Sequence, residues 1–193
     1  MKHRWTPFLA GAAASALLAA AGCSGHAVTQ YTHPNADLAA LKSVAVLPFE
    51  NLSTDRTSAD KVQKIFLAEL LATGAFSVVE PGLVSKTLKA DRVETTESLG
   101  PADFKRLGEE LRADAVFTGA VVDFAENRTG NTPTPNVTIQ LRLVECASGA
   151  TVWSASRTRS GASASARLFG IGGASLTETA RNLVKEELHT LVR

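Results

Sequence analysis

Residues Val137–Glu145 read VTIQLRLVE, apolar and polar side chains alternating with period two. Successive side chains of an extended chain point to opposite faces, so this segment must be a strand with one face buried and the other wet. Ala147-Ser-Gly-Ala150 supplies turn chemistry, and Thr151–Thr158 (TVWSASRT) returns as the antiparallel partner. A half-apolar hairpin is not stable alone, so the rest of the chain has to cover it.

The remaining body alternates short apolar runs with helical stripes. Lys42–Phe49, ended by Pro48, reads as a buried strand, and Glu50–Ser58 as a polar loop. A helix follows from Ala59 to Thr73, with Val62, Ile65, Phe66 and Leu70 on one stripe and Gly74 as its left-handed cap. Phe76–Val79 is a second strand, stopped by Pro81-Gly82, and Leu83–Ala90 a short helix. Pro101 opens another helix running to Ala113, with Phe104, Leu107 and Leu111 on its apolar side. Ala115–Phe124 is a strand, and Ala125–Pro135 (AENRTGNTPTP) reads as a loop. The last helix spans Ser175–Val192, its stripe running through Leu176, Ala180, Leu183, Val184, Leu188 and Leu191. Strands separated by helices favour parallel neighbours, and the final three an antiparallel meander. The expected body, residues 41–193, is therefore one α/β, three-layer-like domain. Helices pack on a mixed sheet of about five strands, and a C-terminal antiparallel hairpin and helix close it.

The N-terminus carries a different instruction. Lys2 and Arg4 precede an apolar run from Phe8 to Ala21, short of the ~20 residues that a spanning helix needs. A basic start, a short apolar middle and small residues at its end describe a signal peptide over residues 1–22. Leu18-Ala-Ala-Ala-Gly-Cys23 resembles the lipobox of bacterial lipoproteins. That resemblance implies cleavage before Cys23 and acylation of its sulfur. Ser24 in place of an aspartate implies the outer membrane, with the domain facing the periplasm. The mature chain then carries 18 basic and 19 acidic side chains, since only Lys2 and Arg4 are lost from 20 and 19. Such a balance lacks the basic footprint of nucleic-acid binding. Residues 23–40, polar and aperiodic with Pro34, read as the lipidated cysteine and a flexible tether. His26 and His33 lie there as solvated side chains.

Few residues suggest chemistry. Phe169-Gly-Ile-Gly-Gly-Ala-Ser175 precedes a helix but lacks the lysine of a phosphate-binding loop, leaving Ser175 as a helix cap. No serine sits in a nucleophile elbow. Cys146, the one unmodified thiol after lipidation, reads as buried, His189 and the Glu109–Glu110 pair as solvated, and Trp153 as core. Asn51, Asn127 and Asn136 match glycosylation sequons, accidental matches in a bacterial lipoprotein. The chain is thus expected to be non-enzymatic, with no cofactor or metal.

Val44-Ala-Val-Leu-Pro-Phe-Glu-Asn51, Leu71-Ala-Thr-Gly-Ala75, Phe76-Ser-Val-Val-Glu80, Ala113-Asp-Ala-Val-Phe-Thr-Gly119, Leu141-Arg-Leu-Val144 and Ser148-Gly-Ala-Thr-Val-Trp153 form a further resemblance. Together they resemble the curli-secretion-subunit (CsgG) superfamily, which includes the LpoB-like synthase activators and shares the fold of the TolB N-terminal domain. The resemblance covers residues 41–192 and carries no catalytic residue. It implies an envelope lipoprotein that binds another envelope or periplasmic protein in assembly or secretion. Alternatively, it implies a homo-oligomeric ring at a secretion channel, for which Leu168, Phe169 and Ile171 in the Ser160–Ala174 loop are the candidate interface; the other reading of that loop folds it over the domain's own sheet. With Ala125–Pro135 and Ala147–Ala150 read as loops, no segment remains for membrane-crossing hairpins.

Overall fold

The structure, a computed structural model, describes residues 28–129, 132–160 and 174–192. The signal peptide, Cys23, His26 and the candidate interface Leu168, Phe169 and Ile171 lie outside the described residues.

The α/β expectation holds, with more sheet than anticipated: the described residues form a seven-stranded mixed sheet rather than one of about five strands. The strands are β1 (Val28–Thr32), β2 (Ser43–Val46), β3 (Glu50–Asn51), β4 (Ser77–Val78), β5 (Ala115–Thr129), β6 (Thr132–Glu145) and β7 (Thr151–Ser160). The helices are α1 (Ser58–Thr73), α2 (Pro81–Ala90), α3 (Pro101–Leu111) and α4 (Leu176–Leu191). The sheet order is β1-β7-β6-β5-β2-β4, with β3 paired to β5. β2 runs parallel to β4 and β5, while β5, β6, β7 and β1 form an antiparallel series.

Period-two alternation divides the core between the two faces of this sheet. Val44 and Val46 of β2, Phe117 of β5, Ile139, Leu141 and Leu143 of β6, and Trp153 of β7 pack with α1 and α4. Ala45, Leu47, Val116, Val144 and Cys146 point the other way, against α2 and α3. Phe66 of α1 stacks edge-on to Phe117 at 5.0 Å and tilted against Phe49 at 5.4 Å. Gly119 leaves room for this, since a β-carbon there would stand 3.0 Å from Phe49 and from Leu141. A register shift between Val121 and Asp123 changes the parity of β5, which keeps both Val121 and Phe124 in the α1–α4 core.

The helix ends follow local chemistry. Gly74 closes α1 at φ 63°, as expected. Pro81-Gly82, expected only to stop a strand, instead opens α2: Pro81 occupies the first turn and the Glu80 carboxylate accepts the Leu83 amide. Ser175 Oγ accepts the Glu178 amide and caps α4.

Two expected coil segments are strands. Within the expected tether, Val28–Thr32 pairs with β7 from Val28–Arg157 to Thr32–Trp153. Residues 29–32 are exposed, so β1 is held by backbone pairing and left no apolar pattern to read. Ala125–Pro135 is not a loop either. β5 and β6 continue past the Asn136–Ser160 rung, where β7 stops, through four more rungs from Glu126–Pro135 to Thr129–Thr132. Pro133 and Pro135 stand at alternate positions, so both lack their N–H on the same edge. Among the described residues, no strand pairs with that edge beyond Ser160.

Candidate functional site: a groove on the uncovered sheet face

The α2–α3 layer covers one end of its sheet face, over Ala45 and Leu47 of β2, Val116 of β5 and Val144 of β6. Farther along, the same alternation presents Thr118 and Ala120 of β5, Gln140 and Arg142 of β6, and Ser154 and Ser156 of β7. Small hydroxyls bury too little apolar area to hold a helix, at ~25 cal/mol per Å2. No helix among the described residues lies over them, and they floor a groove of about 560 Å3 with Thr29 of β1 at one side.

Two carboxylates and a turn form the opposite rim. β3 holds Glu50 beside Ala120 through its pairing with β5. Glu50 Oε1 accepts from Thr95 Oγ1 at 2.8 Å, Thr96 Oγ1 at 3.2 Å and the Glu97 amide at 2.9 Å. Partial burial raises the Glu50 carboxyl, but these bonds and one shared with the Glu97 side chain outweigh it and hold it below the usual glutamate value. Glu97 moves upward, because its carboxyl shares that hydrogen bond and feels the Glu50 charge. Arg142 Nε donates to Thr118 Oγ1 at 3.2 Å, and its guanidinium carbon lies 5.9 Å from the centre of the Phe104 ring. The groove therefore offers a fixed cation, two interacting carboxyls, and a field of hydroxyl donors and acceptors.

This arrangement suits recognition of a polar surface. Among the described residues, no group of three or more His, Cys, Asp or Glu side chains could hold a metal ion. Cys146 is buried and unpaired; burial, then Asp114 and Glu145, push its thiol up to about 11, which makes it a poor nucleophile. The shallow surface beside it carries Lys105, Glu109, Asp114 and Glu145 but no histidine. His189 and the Glu109–Glu110 pair are exposed, and Trp153 is wholly buried, each as expected. Sequence reasoning singled out none of the groove residues. For Gln140 and Arg142 the signal was the polar half of the alternation in Val137–Glu145.

Comparison with known proteins completes the picture. The sequence model of the GNA1162-like lipoprotein family matches residues 31–190. No curated protein matches the chain's sequence. The PelC dodecamer from Paraburkholderia phytofirmans is similar in structure at TM-score 0.60 and 23% identity, covering 87% of this chain and 98% of that one. Lipoprotein GNA1162 from Neisseria meningitidis is similar at TM-score 0.55 and 18% identity, covering 77% and 99%. The LpoB C-terminal domain from Salmonella enterica is more distant, at TM-score 0.47 and 16% identity over 61% and 82%. At these identities the structures speak for the fold, and the family match, over most of the chain, for its kinship. The chain belongs to the GNA1162-like lipoprotein family.

Proposed function

We propose that this chain is a non-enzymatic lipoprotein whose periplasmic domain binds another envelope protein in cell-envelope assembly or secretion. The observation that carries the reading is the groove over Thr118, Gln140, Arg142, Ser154 and Ser156: a built, polar sheet face that none of the described helices covers, in a chain of a lipoprotein family. Acyl chains on Cys23 would hold the domain at the outer membrane, each buried methylene contributing ~0.8 kcal/mol. Confinement near that membrane raises the effective concentration of partners there.

The test places a photo-crosslinking residue at Gln140, in the groove, and another at Lys86 on α2. A discrete adduct from position 140 and none from 86 supports the reading; no adduct, or the same adducts from both, overturns the groove as the binding face. A Cys23→Ala protein that stays membrane-bound would defeat the anchoring.

A second reading is a homo-oligomeric ring at a secretion channel. The PelC protein of this fold is a dodecamer, which favours the reading. Light scattering of the lipidated protein, with the detergent subtracted, separates the two. A monomer or dimer excludes the ring. A discrete large assembly that Phe169→Asp dissolves supports it, with Leu168, Phe169 and Ile171 as the contact.

A further inference from the structure

Strand register sets where the proposed anchor enters the fold. Val28 pairs with Arg157, Arg157 with Ile139, and Ile139 with Val121. From that level the β5–β6 hairpin runs on past the last β7 rung at Asn136–Ser160, and Thr132 lies seven residues beyond Ile139. At ~3.4 Å per residue the hairpin arm reaches about 24 Å past the start of β1. From Val28 back to Cys23 are five residue steps, which span at most ~18 Å fully extended.

Measured from Val28, the fully extended tether thus ends short of the level that the hairpin reaches. With the strands upright and the arm toward the bilayer, the arm would overrun the membrane surface. With the arm pointing away, the body below Val28 would have to occupy the same short gap. An orientation with the corner formed by β1 and the arm turned to the membrane satisfies both limits. We propose that the arm of β5 and β6 beyond Asn136 rests on the lipid headgroups, so that the domain is oriented on the membrane as well as tethered to it. This inference rests on the acylation of Cys23 proposed above.

The composition of the arm fits headgroup depth. Glu126, Asn127 and Arg128 are exposed, and Glu126 and Arg128 lie on the same side of β5. None is apolar, so nothing there favours the acyl region, while the Arg128 guanidinium suits lipid phosphate. Four rungs beyond β7 fall short of the ~9–11 residues that a membrane-crossing strand requires.

The test uses the full lipidated protein in vesicles of phosphatidylethanolamine and phosphatidylglycerol. Asn127→Cys carries an environment-sensitive fluorophore, and Ser148→Cys, in the turn at the opposite end of β6, serves as the comparison. With spin labels on the lipid headgroups, quenching at 127 is expected to exceed that at 148 several-fold. Equal quenching at both positions in protein that floats with the vesicles overturns the arm contact alone. Wild-type protein that fails to float overturns the anchoring, and with it the arm contact.

Discussion

Gly108 of α3 lies so close to Cys146 at the end of β6 that a β-carbon at 108 would stand 2.8 Å from the cysteine sulfur and 3.1 Å from the Ala113 carbonyl. The helix touches the sheet here with only the Cys146 side chain between them. Gly108→Ala is therefore expected to destabilise the domain by ~1–3 kcal/mol through overpacking, outweighing the better helix propensity of alanine. Urea unfolding measures it. A stability equal to wild type would show that α3 can slide off the sheet freely.

Asp114 joins the starts of two neighbouring parallel strands. Its Oδ2 accepts the Lys42 and Ser43 amides, both at 2.8 Å, and these bonds hold its carboxyl below the ordinary aspartate value. A depressed folded value means stability present above the unfolded value of ~3.9 and lost as pH falls through the folded one. Asp114→Asn should cost ~1–3 kcal/mol at pH 7, because bonds to a charged acceptor are the stronger ones, and flatten part of the acid unfolding limb. Unfolding free energies of both proteins between pH 2 and pH 7 test this. An unchanged acid limb refutes it.

Glu187 behaves in the opposite sense. It is wholly buried on α4 with neither carboxylate oxygen hydrogen-bonded, while Arg157 is engaged by its neighbour Glu186 at 3.0 Å. Burial pushes its carboxyl well above the usual glutamate range, the Arg157 charge pulling down and Glu186 pushing up. Between the unfolded value of ~4.3 and the raised folded one, the native state binds one more proton, so this group's contribution to stability falls as pH rises. Glu187→Leu should stabilise the protein by ~1–3 kcal/mol at pH 8, the scale of an unpaired buried polar group, and by less at pH 5. A gain that does not grow with pH would show that Glu187 is ionised or paired in the native state.

At the groove rim, Glu50→Gln removes the charge that raises Glu97. The Glu97 carboxyl is then expected to titrate lower, toward an ordinary glutamate, in a side-chain NMR titration. An unmoved Glu97 would mean that the two carboxyls are not in contact in solution. The same variant should leave the circular-dichroism spectrum unchanged, since the amide of glutamine can still accept from Thr95 and Thr96.

The residues that report burial were readable from the chain alone. The period-two run Val137–Leu143, the stripe Val62–Phe66–Leu70, the Gly74 cap and the buried Cys146 and Trp153 each follow from local pattern, because apolar spacing must match the geometry of its element. So did the α/β class and the parallel-then-antiparallel order. What stayed hidden was built by neighbours. β1 and the hairpin arm have no apolar alternation. The arm is polar and rich in turn formers, β1 is a short exposed segment, and both become strands because β7 and the buried halves of β5 and β6 present backbone partners in register. Glu187 was concealed for the converse reason. α4 is wedged between the sheet and α1, which buries a wider stripe than its apolar residues announce. The groove depended on where α2 and α3 stop. A polar strand face reads as solvent-exposed surface wherever it lies, and only the packed layers decide that this one is a concave floor with Glu50 and Glu97 at its rim.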